Sequence, residues 1–122
     1  MKSRKDLLRE YKERRKPAGV FQVRNTANEK VFLGSSLNLD GSLNRNRFML
    51  TAGSHFNKAM QKDWNIFGPD KFVFEILETV KVKDDENFNL DDELTLLEQI
   101  WLEKLKPVGD GGYNADEKIR QV

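Results

Sequence analysis

Residues 19–34, with the sequence GVFQVRNTANEKVFLG, decide the fold of this chain. Residues 19–24 alternate apolar and polar side chains, which is typical of a strand with one buried face. Residues 30–34 predict a second strand, because valine and phenylalanine favour extended backbone. The polar segment 25–29 between them predicts a turn, so the two strands are expected to form an antiparallel hairpin.

Helices are predicted on both sides of this hairpin. Residues 2–15 are rich in lysine, arginine, glutamate and leucine, and Pro17 ends the helix that they predict. A second helix is predicted over 39–51 with Gly53 as its terminating glycine, and Ser54 is expected to cap a third. The buried stripe of the third helix is expected to comprise Phe56, Met60, Trp64 and Phe67.

The second half of the chain adds one strand and one helix. Residues 71–77, KFVFEIL, favour a strand, and residues 91–105 favour a helix that Pro107 ends. An acidic loop is expected over 81–89 and a glycine-rich turn over 109–114. This order of elements predicts a small α+β domain with an antiparallel sheet.

Composition excludes several classes of function. The length of 122 residues predicts one domain. The sequence contains no cysteine, which excludes disulfides, thiolate metal sites and cysteine nucleophiles. No apolar run approaches the roughly 18 residues of a membrane span. No signal-peptide core is present either, so we expect a cytoplasmic protein without a membrane partner.

Charge is balanced overall but uneven along the chain. Lysine and arginine number 21 against 20 aspartates and glutamates, and the net charge of +1 indicates no partner. Residues 1–16 carry eight basic and three acidic side chains, whereas 75–98 carry nine acidic side chains and two lysines. These segments are either a nucleic-acid-binding face and its acidic opposite, or ordinary solvated surfaces. Candidate phosphate contacts on two helices are Arg45, Arg47, Lys58 and Lys62.

Glu98 is the most informative residue of the last predicted helix. In helical projection five apolar residues fall within an arc of roughly 80°; they are Leu90, Leu94, Leu97, Trp101 and Leu105. Glu98 lies about 20° beyond the edge of that arc. A carboxylate leaning toward an apolar side needs a metal, a cation or hydrogen bonds. Glu98 is therefore either a metal or catalytic carboxylate beside a cleft, or a boundary residue whose carboxylate reaches solvent or a structural ion pair.

Two other candidate functional elements, His55 and the segment 109–112, give weaker indications. His55 is the one histidine of the sequence, so neither a His–His metal pair nor a Ser–His triad can be assembled. Because His55 lies at the start of a predicted helix, we expect it to have a structural role. The glycine-rich segment 109–112 lacks the strand, helix and lysine of a phosphate-binding loop, which favours a turn.

Short motifs follow one another at characteristic spacings. They are GVF at 19–21, FLGSS at 32–36, GSHFN at 53–57, QKDWN at 61–65, FVFEILE at 72–78, EQIW at 98–101 and GYN at 112–114. In this order they resemble a GIY-YIG nuclease-superfamily domain, most closely the bacterial members found alone or with LuxR-type transcriptional regulators. The resemblance covers 17–115, which leaves 1–16 as a basic N-terminal helix and 116–122 as a polar tail.

The resemblance implies a fold and an activity. The fold is a three-stranded antiparallel sheet flanked by helices, here with the extra N-terminal helix. The activity is metal-dependent phosphodiester hydrolysis, in which Glu98 would hold one Mg²⁺ or Mn²⁺ and Asn114 would support the site. The resemblance also places His55 at a histidine seen in homing-endonuclease members.

Three departures from the family pattern concern the chemistry itself. The tyrosines of the two named motifs are Phe21 and Phe32 here, and the position of the phosphate-binding arginine falls on Ser42, with Arg45 one turn further on. A positioned general base contributes about 10²- to 10⁴-fold in rate, and a transition-state charge partner about 10²- to 10³-fold. A rescue would require His55 as base and Arg45 or Arg47 at the phosphate.

Three hypotheses follow. The first is a degenerate GIY-YIG domain that binds nucleic acid, DNA rather than RNA, with little or no cleavage and a regulatory role. The second is an active Mg²⁺- or Mn²⁺-dependent endonuclease with altered general-base chemistry. The third is a protein-interaction module in which Leu7, Leu8 and Tyr11 of the N-terminal helix contact a protein partner or a second copy.

Overall fold

The computed structural model describes residues 2–14 and 16–115. Within these ranges the strands are β1 (Gly19–Asn25), β2 (Val31–Ser36) and β3 (Phe72–Thr79). The α-helices are α1 (Arg4–Arg14), α2 (Leu39–Ala52), α3 (Lys58–Phe67) and α4 (Leu90–Leu105). Single 3₁₀ turns occupy Pro69–Lys71 and Gly109–Gly111. The expected α+β fold is confirmed.

The sheet is antiparallel throughout, in the order β2-β1-β3. The predicted hairpin is β1 and β2, which pair from Gly19 opposite Ser36 to Arg24 opposite Val31. A bulge between Val20 and Phe21 shifts the register of β1 against β3. The central strand β1 is also the most continuously buried of the three, because it is covered on both faces.

Helices cover both faces of this sheet. Against one face pack α2 and α3, and the buried cluster there comprises Phe21, Val23, Leu39, Leu50, Met60, Trp64, Phe72 and Tyr113. Against the other packs α4, where Val20, Leu33 and Leu102 are completely buried. Val20 and Phe21 belong to different clusters because successive side chains of a strand point to opposite faces.

The start of α3 differs from the prediction. Asn57 caps this helix through its Oδ1, which accepts from the backbone N of Met60 at 3.0 Å, so the proposed Ser54 cap is wrong. Phe56 precedes the helix and is 62% exposed, and Phe67 is 40% exposed, so neither belongs to a buried stripe. Helical spacing could not exclude Phe56, because the pattern does not mark where the first turn begins.

The glycine-rich turn near the C-terminal end of the described chain adds to the sheet. Gly112 bridges Val31 of β2 in parallel orientation. A Cβ at position 112 would meet the backbone oxygens of Val31 and Pro107 at 2.4 and 2.5 Å, so only glycine fits this close approach. Tyr113 and Asn114 are thereby brought beside β2.

The N-terminal helix touches the acidic loop. Arg4 of α1 donates to Asp84 at 2.9 Å, and Leu7 is 53% exposed. The side chains of Leu8 and Tyr11, and the whole of the 116–122 tail, lie outside the described residues. No helix of the described ranges is long and apolar enough to cross a membrane.

Candidate functional site

A cleft of about 480 Å³ lies where β1, β2, α2, α4 and the glycine-rich turn meet. Its lining combines four aromatic side chains, three asparagines and one carboxylate; these are Phe21, Phe32, Phe56, Tyr113, Asn46, Asn57, Asn114 and Glu98. The remaining lining residues are Gly34, Ser35 and Ala115. Segments more than ninety residues apart in the sequence, at Phe21 and Ala115, thus contribute to one concave surface.

The structure brings some of the predicted site residues together and separates others. Those that line the cleft are Phe21, Phe32, Glu98 and Asn114. His55 is fully buried and contacts the lining residues. Ser42 and the four candidate phosphate-binding cations are not among the lining residues.

Phe21 and Phe32 form one wall of the cleft. Phe21 is buried, Phe32 is half-buried, and their ring centroids are 6.5 Å apart. Gly34 faces Phe21 across the hairpin, and a Cβ at position 34 would lie 2.6 Å from Phe21 Cζ. A side chain at position 34 would therefore displace the ring of Phe21, which rests directly on the backbone of β2.

Ser42 links α2 to the end of β2. Its Oγ lies 2.5 Å from Ser36 Oγ, and its backbone oxygen accepts from Asn46 Nδ2 at 2.8 Å. Both contacts are neutral and local. Ser42 therefore supplies a structural hydrogen bond at a position where the family resemblance expects a positive charge.

His55 has both ring nitrogens in hydrogen bonds. Nδ1 accepts from the backbone N of Asn57 at 2.9 Å, so the proton is assigned to Nε2, which donates to Asn46 Oδ1 at 2.6 Å. Burial lowers the pKa of His55 below its ordinary 6.5. The imidazole is thus a neutral brace between two cleft asparagines, and accepting a proton would require breaking the bond from Asn57.

Asn46 is a cleft residue that no sequence motif indicates. It is buried, although Arg45 and Arg47 on either side of it are exposed. A polar sequence context predicts a solvated helix face, so it predicts an exposed side chain for Asn46. The available signal was its residue type, since asparagine is a poor helix former in a helix interior.

Two further asparagines hold the glycine-rich turn in place. Asn57 Nδ2 donates to the backbone oxygen of Tyr113 at 2.8 Å. Asn114 Oδ1 accepts from Leu33 N, and its Nδ2 donates to Leu33 O, both at 2.8 Å. The amide of Asn114 therefore pairs with β2 as a neighbouring strand would.

Tyr113 carries a hydroxyl near the cleft, but that hydroxyl is already bonded. It donates to Asp63 Oδ2 at 2.7 Å and accepts from Asn25 Nδ2 at 3.2 Å. Burial raises the pKa of Tyr113 to about 12. The phenol keeps its proton at neutral pH and does not replace the missing motif hydroxyls.

Glu98 alone carries a formal charge among the described residues that line the cleft. It is half-buried on α4. No group of three or more histidines, aspartates or glutamates in the described ranges is arranged to hold a metal ion. Mg²⁺ is commonly bound through one or two carboxylates, with waters and substrate phosphates as its other ligands. The cleft, with one carboxylate and room for water, is compatible with that mode of binding.

The candidate phosphate contacts lie on the outer surfaces of α2 and α3. All four are exposed; they are Arg45, Arg47, Lys58 and Lys62. The guanidinium of Arg47 lies over the ring of Phe74, 4.5 Å from its centroid. That contact holds Arg47 at the sheet.

Known proteins provide a comparison for this arrangement. Neither a protein-family model nor a curated protein sequence matches the chain. Among solved structures, the catalytic domain of the homing endonuclease I-TevI is 29% identical, with a TM-score of 0.64 over 81% of this chain and 99% of that one. A variant of the same catalytic domain with one glutamate replaced by alanine is 28% identical, with a TM-score of 0.65 over 82% and 95%. The similarity thus extends over most of this chain and nearly all of both domains.

Proposed function

We propose that this chain, a GIY-YIG-like domain, binds nucleic acid, DNA rather than RNA, and cleaves it slowly or not at all. The observation that carries the proposal is the wall formed by Phe21 and Phe32, which occupy the positions of the family's motif tyrosines. Phenylalanine keeps the packing volume and lacks the hydroxyl. A cleft of the family's shape is thereby kept without the group that would move a proton.

The family resemblance also places an uncharged residue at the position of the phosphate-binding arginine. Ser42 stands at the arginine position and bonds Ser36. Removing one transition-state charge partner costs about 10²- to 10³-fold in rate, in addition to the loss of the general base. Such losses are not additive, but each alone predicts turnover far below that of a fully equipped nuclease.

The other groups of the cleft do not replace these functions in their present arrangement. His55 uses both ring nitrogens within the protein. The Tyr113 hydroxyl is bonded to Asp63 and Asn25. A general base has to reach the proton that it removes, and each of these groups would first have to give up a buried hydrogen bond.

The family resemblance implies a divalent metal, and Glu98 is the residue that would hold it. Bound Mg²⁺ or Mn²⁺ supplies positive charge that stabilises a phosphate oxygen. Glu98 itself provides the anionic ligand, and the neighbouring asparagines shape the cleft around it. In a protein that does not cleave, this carboxylate would support binding of the phosphate through the ion.

Plasmid nicking tests the loss of cleavage. With Mn²⁺, the wild type is expected to nick supercoiled DNA no faster than Glu98→Gln does. Glu103→Gln is the matched control, because Glu103 is an exposed glutamate of the same helix. Nicking by the wild type and Glu103→Gln at the rate of a fully equipped nuclease, which Glu98→Gln abolishes, would contradict the proposal.

That contradicting result would support the second hypothesis, an active endonuclease with altered general-base chemistry. One observation favours it: Glu98 and Asn114 both remain in the cleft. The same assay therefore decides between the two functions.

A protein-interaction role through α1 is a third candidate, supported by the exposure of Leu7. Light scattering on the full chain tests its self-association form. A dimer that Leu7→Asp converts to a monomer would support it, and a wild-type monomer at high concentration would exclude it.

A further inference from the structure

We infer that the cleft receives an unpaired nucleobase, which stacks on the ring of Phe56, so that single-stranded or locally opened nucleic acid is the preferred ligand. The inference rests on the proposed nucleic-acid binding and adds the class of ligand. It concerns a residue at which the family resemblance assigns no role and which the sequence pattern had placed in the core.

Phe56 is an exposed aromatic side chain with a fixed orientation. It is 62% exposed and lines the cleft. One face of its ring stacks on His55, with centroids 4.3 Å apart and 27° between the planes. Its ring also meets Phe32 nearly edge-on at 5.8 Å. The exposed surface is therefore the opposite face and the outer edge, which a flat ligand can cover.

The support beneath this ring is rigid. His55 is fully buried, and its two hydrogen bonds connect it to α2 through Asn46 and to the start of α3 through Asn57. A platform held in place before binding loses little conformational entropy when a ligand stacks on it. Phe56 thus has the geometry of a preorganised stacking surface.

The lining favours a base over a bare phosphate. Aromatic rings and asparagine amides form most of it, and neither lysine nor arginine is among the described lining residues. The volume of about 480 Å³ falls within the usual range of small-molecule clefts, about 300 to 1,000 Å³. A base inside a duplex is stacked on both sides and cannot reach such a ring unless it leaves the helix.

Base identity is expected to matter little. The amide groups of Asn46, Asn57 and Asn114 are each hydrogen-bonded through both oxygen and nitrogen within the protein. These bonds use part of the hydrogen-bonding capacity of each amide and fix its orientation, so stacking is expected to be the main contact with the base, and every base offers a π-face. Discrimination should therefore be between unpaired and paired bases.

Fluorescence anisotropy of the full chain tests the inference with three labelled probes: oligothymidylate, a duplex of the same length, and an abasic oligonucleotide of the same charge. Phe56→Ala is expected to weaken oligothymidylate binding about 5- to 150-fold, the range for loss of one base–aromatic stack. Binding of the duplex and the abasic probe should change little. Phe48→Ala is the matched control, because Phe48 is 72% exposed and does not line the cleft.

A second variant separates stacking from apolar packing. Phe56→Leu keeps an apolar side chain without a flat ring and should lose affinity as Phe56→Ala does, whereas Phe56→Trp should retain it. Equal loss in Phe56→Ala and Phe48→Ala, or wild-type binding that is as tight for duplex and abasic probes as for oligothymidylate, would overturn the inference and leave nucleic-acid binding intact. Absence of binding to all three probes would overturn both.

Discussion

His55 shows how one residue can resemble a catalytic group and act as a structural one. It lies beside the cleft of a nuclease-like fold, but its two nitrogens connect Asn46 and Asn57. Desolvation keeps it neutral, since burial disfavours the charged imidazolium. Its position alone would favour a general base, and its hydrogen bonds favour a brace.

The lowered pKa of His55 predicts how stability depends on pH. The unfolded chain gains a proton near pH 6.5, while the folded protein resists it until lower pH. The stabilising contribution is therefore fully present above pH 6.5 and is lost as pH falls through the folded pKa. Urea unfolding of the wild type should show a steeper loss of stability from neutral to mildly acidic pH than His55→Gln.

The variant His55→Gln is itself the control for that measurement. His55 is its one histidine, so the variant retains the other ionisable side chains and removes imidazole titration altogether. Identical pH dependence of the two proteins would show that His55 has the same pKa folded and unfolded.

At the scale of elements, the glycine-rich turn completes the site. Gly112 approaches β2 too closely for any side chain, and the Asn114 amide pairs with both backbone groups of Leu33. A turn predicted only from glycine content therefore serves as an additional edge beside the hairpin. Its contact with β2 places Tyr113 and Asn114 in the cleft.

Asn114→Ala should destabilise the fold more than a surface asparagine does. It leaves the buried N–H and C=O of Leu33 without their side-chain partner, and each such group costs about 1–3 kcal/mol. Chemical unfolding measures the difference. Asn44→Ala, at an exposed asparagine of α2, is the control and should change stability by less than about 0.5 kcal/mol. Equal effects of the two substitutions would show that the Leu33 pairing contributes nothing.

Element boundaries were predictable where a local signal marks them. The left-handed Gly53, with φ of 75°, ends α2 as expected from its residue type. The start of α3 was not predictable, because Ser54 and Asn57 are both good caps. Asn57 is the cap, and it also donates hydrogen bonds to His55 and Tyr113. A local sequence pattern does not predict those two hydrogen bonds.

At the scale of the whole molecule, charge is separated by element. The acidic segment 75–98 covers the end of β3, the following loop and the first part of α4, whereas the exposed candidate phosphate contacts lie on α2 and α3. A nucleic acid at the cleft would meet the helices more favourably than the acidic loop. The balanced net charge conceals this arrangement.

Salt dependence of DNA affinity tests this arrangement. Lys58→Ala and Lys62→Ala should each weaken binding and reduce the slope of log affinity against log salt by about 1, as expected for a lost phosphate contact. Lys104→Ala is the control. Lys104 lies over the ring of Trp101 on α4, the helix that packs against the face of the sheet opposite to α2 and α3. Slopes that are the same in all three variants would remove Lys58 and Lys62 from the interface.

The sequence by itself determined the order of elements, the family resemblance, the two missing motif hydroxyls and the candidate carboxylate Glu98. These follow from residue identity and from periodicity within single segments, which local steric and hydrophobic preferences impose. Tertiary structure alone decided that Asn46 enters the cleft, that His55 is closed off by its neighbours and that Phe56 stays exposed. Each of these depends on how α2, residues 53–57 and the β1–β2 hairpin pack against one another, and that packing cannot be read from any one of these segments.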